Sequence, residues 1–212
     1  MAEEESSCCR CCISFIFTSG LTALFLWLSL RPSNPTCSIE NFDVFILNKT
    51  ANSTFKNNHT ILYDLKLNNK GNKDKGIYYD TLNLTFYYKP NLTLINTLGN
   101  ATYVPFYQGY GKNTHRKGSI DARGVKWENA TATTAVFRVE LNTLVRFKIV
   151  FWKTKRHRLD LKADLLVNEQ GSLIKRKKKK GIKLTSGVGN SMSCSKFMLL
   201  GVLGVLIFVH FW

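Results

Sequence analysis

Val145-Arg146-Phe147-Lys148-Ile149-Val150-Phe151-Trp152 sets apolar residues against basic ones at every second position for most of its length. Ala135-Val136-Phe137-Arg138-Val139-Glu140-Leu141, shortly before it, alternates in the same way. Period-two runs rich in β-branched and aromatic residues read as strands with one buried face. The same reading extends outward to Ile39–Leu47, Thr60–Leu67, Leu82–Tyr88 and Leu159–Leu165. Asn/Gly/Lys-rich turns such as Asn68 to Gly76 separate them. No long 3.6-residue period appears outside the first apolar segment. Six or seven short strands in one span predict an all-β domain, an antiparallel β-sandwich over residues 36–168.

That span is flanked by apolar segments. Ile13 to Leu30 is uncharged, and its eighteen residues reach about 27 Å as a helix, close to the thickness of a hydrocarbon core. The residues before it include Glu3-Glu4-Glu5, and Arg31-Pro32 follows it; a cleavable signal peptide would want a basic start and small residues at its end. A retained transmembrane signal anchor over 13–30 is therefore expected, with residues 1–12 as a cysteine-rich cytosolic tail. Phe197 to Trp212 is the second apolar segment. It follows a basic and polar linker, 169–196, and this order of features matches a glycosylphosphatidylinositol signal. Ser186, Gly187 and Asn190 are the candidate attachment residues. A short second transmembrane helix is the alternative.

Seven Asn-x-Ser/Thr triplets lie between the two segments, at Asn48, Asn52, Asn58, Asn83, Asn91, Asn100 and Asn129. They are candidate N-glycosylation sites only if the domain is outside the cytosol. They set the expected orientation, since flanking charge is nearly balanced: N-terminus in the cytosol, sandwich outside. Cys8, Cys9, Cys11 and Cys12 crowd around Arg10 at the expected cytosolic boundary. Their spacing does not suit a zinc site, and S-palmitoylation fits them better. Of the six cysteines only Cys37 and Cys194 remain. Cys37 is expected to be a free thiol, with a link between two copies of the chain as the alternative.

Lys and Arg outnumber Asp and Glu by 30 to 14, a net charge of +16. A glycosylated domain does not meet nucleic acid, so the partners expected are anionic headgroups or an acidic cell-wall polysaccharide. Arg146, Lys148, Lys153, Lys155, Arg156, Arg158 and the run Lys175, Arg176, Lys177, Lys178, Lys179, Lys180 are the contact candidates. Catalytic signatures are missing. His59, His115, His157 and His210 are scattered, no HExxH or Gly-x-Ser-x-Gly occurs, and Asp160 and Asp164 read as solvent-facing. No enzyme activity, metal or cofactor is expected.

Three segments carry a resemblance. Gly76-Ile77-Tyr78-Tyr79-Asp80, Pro105-Phe106-Tyr107-Gln108-Gly109, and Val145–Trp152 with the basic turn Lys153-Thr154-Lys155-Arg156-His157-Arg158 resemble signatures of the plant NDR/HIN-like family. The Cys-Cys-x-Cys-Cys start and Ser14–Thr22 resemble a defence-associated branch of it. The resemblance implies a late-embryogenesis-abundant type 2 sandwich, of fibronectin-III/Ig-like kind, at the plasma membrane. It also implies defence signalling downstream of intracellular resistance receptors, with the cytosolic tail meeting an inner-face immune regulator. Wall–membrane adhesion is the alternative role, although no Arg-Gly-Asp or Asn-Gly-Asp supports it. Where the family often has Asn-Pro-Asn, this chain has Asn69-Lys70-Gly71-Asn72; without proline to fix φ, a looser turn is expected, with the fold unchanged.

Overall fold

The computed structural model describes residues 2–48, 59–90, 94–123, 127, 134–175 and 180–186, with side chains from residue 12 onward. One helix, α1 (Ala2–Leu30), precedes an all-β domain. Its strands are β1 (Thr36–Val44), β2 (Thr60–Asn68), β3 (Lys75–Tyr79), β4 (Leu82–Lys89), β5 (Asn96–Tyr103), β6 (Phe106–Gln108), β7 (Asn113–Asp121), β8 (Thr134–Ile149), β9 (Trp152–Lys153), β10 (His157–Asn168) and β11 (Ile182–Lys183).

All pairings between these strands are antiparallel. One sheet has the order β11-β1-β2-β7. The other is built on β8, the sixteen-residue strand that contains both opening runs of the sequence. One edge of β8 carries β4 and then β3, and its other edge carries β10 and then β9. Consecutive strands β3 and β4 therefore act as one long strand broken at Asp80-Thr81. In the same way β5 and β6 form one strand broken at Val104-Pro105, β5 pairing with β4 and β6 with β3. A proline has no amide to donate, which suits it to such a break. The architecture is that of two four-membered layers.

The two layers close on one core. Phe42 of β1 packs on Phe86 of β4 and Phe137 of β8, with ring centroids 6.1 and 5.3 Å apart. Tyr63 of β2 meets Phe86 at 4.7 Å. Along β1 the buried face changes parity, from Cys37 and Ile39 to Phe42 and Val44, because a bulge between Ile39 and Asn41 shifts the register against β2.

Three expectations change in detail. The two runs Ala135–Leu141 and Val145–Trp152 are not separate strands, since pairing with β10 continues through Asn142, Thr143 and Leu144. Strands β3, β5, β6 and β7 add to the expected set, and the expected strand Ile39–Leu47 ends at Val44, where Phe45–Leu47 forms a helical turn. The sandwich also passes residue 168: Leu173 and Leu184 are buried, β11 pairs with β1, and the Gly171 carbonyl, at a residue with φ +76°, accepts a 2.7 Å hydrogen bond from the Val44 amide. The first part of the expected linker is thus folded onto the domain.

Cys12–Leu30 within α1 is long and apolar enough to cross a membrane, and of its side chains only Leu30, at the end, packs partly against the domain. The helix continues through the cysteine cluster; Cys12 is exposed. The expected apolar tail 197–212 lies outside the described residues.

Candidate functional site at the helix-proximal end

Two of the family-like segments are adjacent strands. Ile77, Tyr78 and Tyr79 of β3 pair with Gln108, Tyr107 and Phe106 of β6. Each position has a distinct job. Ile77 is fully buried. Tyr79 stacks on Phe106 at 4.7 Å and donates its hydroxyl to Gln108 Oε1 at 2.9 Å. Burial pushes the Tyr79 hydroxyl above its ordinary pKa, keeping it a neutral donor. Gln108 Nε2 donates to the carbonyls of Leu67 and Lys112, both at 2.9 Å, so this buried amide makes three hydrogen bonds. On the outer face Tyr78 lies 4.6 Å from Tyr107. A Cβ on Gly76 would overlap the Tyr107 hydroxyl, so only glycine lets that ring lie across β3.

The third segment closes on the same patch. The Lys153 ammonium sits 4.4 Å above the Tyr78 ring. Arg156 Nε and Arg146 Nη2 both donate to Asp80, at 2.8 and 3.3 Å. The hydrogen bond from Arg156 holds the Asp80 carboxyl below the usual carboxylate range, and Arg146 adds to it. A carboxylate depressed in the folded state stabilises above its unfolded pKa, about 3.9, and loses that contribution as pH falls through the folded value. Asp80→Asn should therefore melt below the wild type near neutral pH. The gap should shrink as the melts are taken to pH values below the unfolded pKa and through the folded value.

A polar knot joins this end of the sandwich to α1. Asn72 accepts from the Ser33 amide at 2.8 Å and donates to the Ser33 carbonyl at 2.7 Å and Asn69 Oδ1 at 2.8 Å. Asn69 donates to the carbonyls of Lys75 and Gly109. The turn that lacks proline is thus closed by side chains, and its backbone hydrogen bond from the Asn72 amide to the Asn69 carbonyl is 3.1 Å. Lys75, almost wholly buried, donates to the Ser29 carbonyl at 3.0 Å while pairing with Asp74 at 2.9 Å. Ser29 lies in the last turn of α1, where carbonyls lack helical partners and a cation is favoured. Leu30 packs against the core. Asn72→Ala removes three bonds in a buried setting and is expected to cost about 2 kcal/mol. It should also speed tryptic cleavage at Lys70 in the same turn, which a digestion time course would show.

The structure divides the predicted basic residues. Arg146 and Arg156 are bound to Asp80, Arg158 pairs with Asp160 at 2.5 Å, and Lys153 covers Tyr78. Lys148 and Lys155 are exposed and have no acidic partner among the described residues. Lys175 bonds Asn41 at 2.9 Å. Lys180 is exposed, and Arg176, Lys177, Lys178 and Lys179 lie outside the described residues. The charge available to a polyanion is smaller than the sequence suggests. Asp164, solvent-facing on the sequence pattern, is held by Arg138 and Lys89.

Among the sequons, Asn83 and Asn100 are exposed on the outer face of adjacent strands, Asn83 opposite Thr102 and Asn100 opposite Thr85. Asn48 is half-buried after the turn Phe45–Leu47. Asn52, Asn58, Asn91 and Asn129 lie outside the described residues, as do Gly187 and Asn190, whereas Ser186 is exposed. The side chains of Cys8, Cys9 and Cys11 are likewise not described. Cys37 is fully buried and desolvation pushes its thiol up to about 12, which removes it as a bridge between copies.

One cluster has no counterpart in the sequence motifs. Glu40, Asp64 and His115, from β1, β2 and β7, bring ligand atoms within 4.8 Å of one another. Strand pairing alone creates it, with Lys66 opposite both Ser38 and His115. Lys66 bonds Glu40 at 2.6 Å and His115 Nδ1 lies 3.0 Å from Asp64, so each carboxylate already has a nitrogen partner. The arrangement is a polar network closed on itself.

No protein-family profile matches the chain. It is 43% identical over 214 residues, covering 97% of this chain and 94% of the relative, to Protein NDR1 of Arabidopsis thaliana. It is also 35% identical to NDR1/HIN1-like protein 26 of the same plant over 98 residues, 46% of this chain and 44% of the relative.

Proposed function

Because the chain belongs to the NDR1/HIN1-like family, we propose that it is a plasma-membrane component of plant disease-resistance signalling, acting after pathogen recognition by intracellular receptors. The near full-length similarity to Protein NDR1 carries this reading, since it spans the apolar helix as well as the sandwich. The apolar helix supports attachment to a membrane. In this proposal α1 crosses the plasma membrane, residues before it face the cytosol and contact an immune regulator, and the sandwich faces the wall. β11 runs antiparallel to β1, back toward the end where α1 leaves. Ser186 therefore emerges on the side of the membrane, which suits lipid attachment there or a second anchor just beyond.

The test is bacterial growth in leaves lacking the chain, using matched strains with and without a recognised effector. Growth rising mainly for the recognised strain supports the proposal. Growth unchanged for both removes it. Orientation has its own check: Asn83→Gln and Asn100→Gln should each remove glycosidase-sensitive mass from the protein made in plants.

A further inference from the structure

The hairpin joining β8 to β9 is built against ordinary rules. Ile149 pairs with Trp152, leaving Val150-Phe151 as a two-residue loop. Such loops need positive φ and favour Asn and Gly. Here Val150 sits at φ +49°, the only non-glycine residue with positive φ among the described residues. A β-branched side chain resists that conformation. The loop also presents apolar surface: Phe151 is 94% exposed, Val150 58% and Trp152 53%. Exposed apolar surface of this kind is unfavourable in water, and an apolar surrounding would offset it and repay the strain that displays it.

The register locates the tip. Ile149 pairs with Lys75, and Lys75 bonds the last turn of α1. The tip thus stands beside the point where the apolar helix enters the sandwich. Lys148, Lys153 and Lys155 flank it. On the helix side Arg31 lies 5.8 Å from the Trp27 ring. Aromatic rings with basic neighbours at the end of an apolar span are the composition of a membrane interface. A wall polysaccharide would use the lysines but leave Phe151 and Val150 in water.

We propose that Val150, Phe151 and Trp152 insert into the interfacial region of the same lipid leaflet through which α1 emerges, with Lys148 and Lys155 against anionic headgroups. The tip is a second contact that, with the Asn72–Ser33 knot, fixes the sandwich against the bilayer. The proposal rests on α1 spanning the membrane.

The test uses the full chain reconstituted in vesicles of brominated phosphatidylcholine with phosphatidylserine, comparing tryptophan quenching in the wild type and Trp152→Phe. The difference isolates Trp152, and emission remaining in the variant includes Trp27. The expected result is a lipid-quenched component, shielded from aqueous iodide, that Trp152→Phe loses. Phe151→Glu should leave Trp152 in place yet reduce its quenching. A Trp152 component open to iodide and untouched by brominated lipid overturns the proposal. If the variant's residual emission is still lipid-quenched, the spanning helix stands and the tip alone fails. If that is lost too, the membrane reading fails with it. Trp152 shielded from iodide only on adding polygalacturonate overturns the lipid assignment in favour of a polymer.

Discussion

Phe137→Ala is expected to destabilise the sandwich more than any other single substitution proposed for it, by about 4 kcal/mol. Phe137 is fully buried in β8. Its ring packs on Phe42 at 5.3 Å, Tyr88 at 5.3 Å and Trp127 at 6.3 Å. It therefore links the facing sheet, the neighbouring strand and the stretch before β8. Truncation forfeits the transfer free energy of the ring and leaves a cavity between two sheets that strand pairing prevents from collapsing. Thermal melting of the purified protein in detergent, followed by tryptophan emission, should show the midpoint fall by about 10 °C or more. Phe137→Leu should recover much of it, because packing rather than aromaticity dominates.

Gln108→Leu comes next, at about 3 kcal/mol, for a different reason. Leucine preserves the bulk but strands the buried Tyr79 hydroxyl and removes the side-chain hydrogen bonds to the carbonyls of Leu67 and Lys112, of which Lys112 keeps the Asn69 amide at 2.9 Å. Groups buried without partners lose their solvation outright, so the deficit exceeds the worth of the bonds removed. A double change, Tyr79→Phe with Gln108→Leu, removes one stranded group and should be less harmful than the sum of the two single changes. An additive result would mean that the Tyr79–Gln108 bond contributes little.

Much of the fold was legible because burial and alternation coincide. Phe137, Val139, Leu141, Val145, Phe147 and Ile149 all face inward along β8, as the period-two reading required. Strand β7 escapes that reading because Asn113–Asp121 forms a sheet edge with mostly exposed or half-buried residues and little apolar signal. Strand β5 is an edge of the other sheet and has the same weakness. The candidate site was visible as three motifs, but not as one place. Their meeting depends on β3 lying between β6 and β8, a long-range pairing that no local pattern encodes. The ion pairs that occupy Arg146 and Arg156 were hidden for the same reason. Counting charge finds the basic residues, and only register shows which of them remain available.

The proposed role requires the sandwich to be anchored beside the membrane. The most direct measurement is growth of an effector-carrying bacterial strain in leaves lacking the chain, rescued either by the full chain or by residues 31–186 behind a cleavable secretion signal, which carry neither apolar segment. The full chain is expected to restore restriction of growth, and the version without α1 is not, even when it accumulates folded and glycosylated. Failure of the full chain to restrict growth, or equal rescue by both forms, would contradict the proposed role.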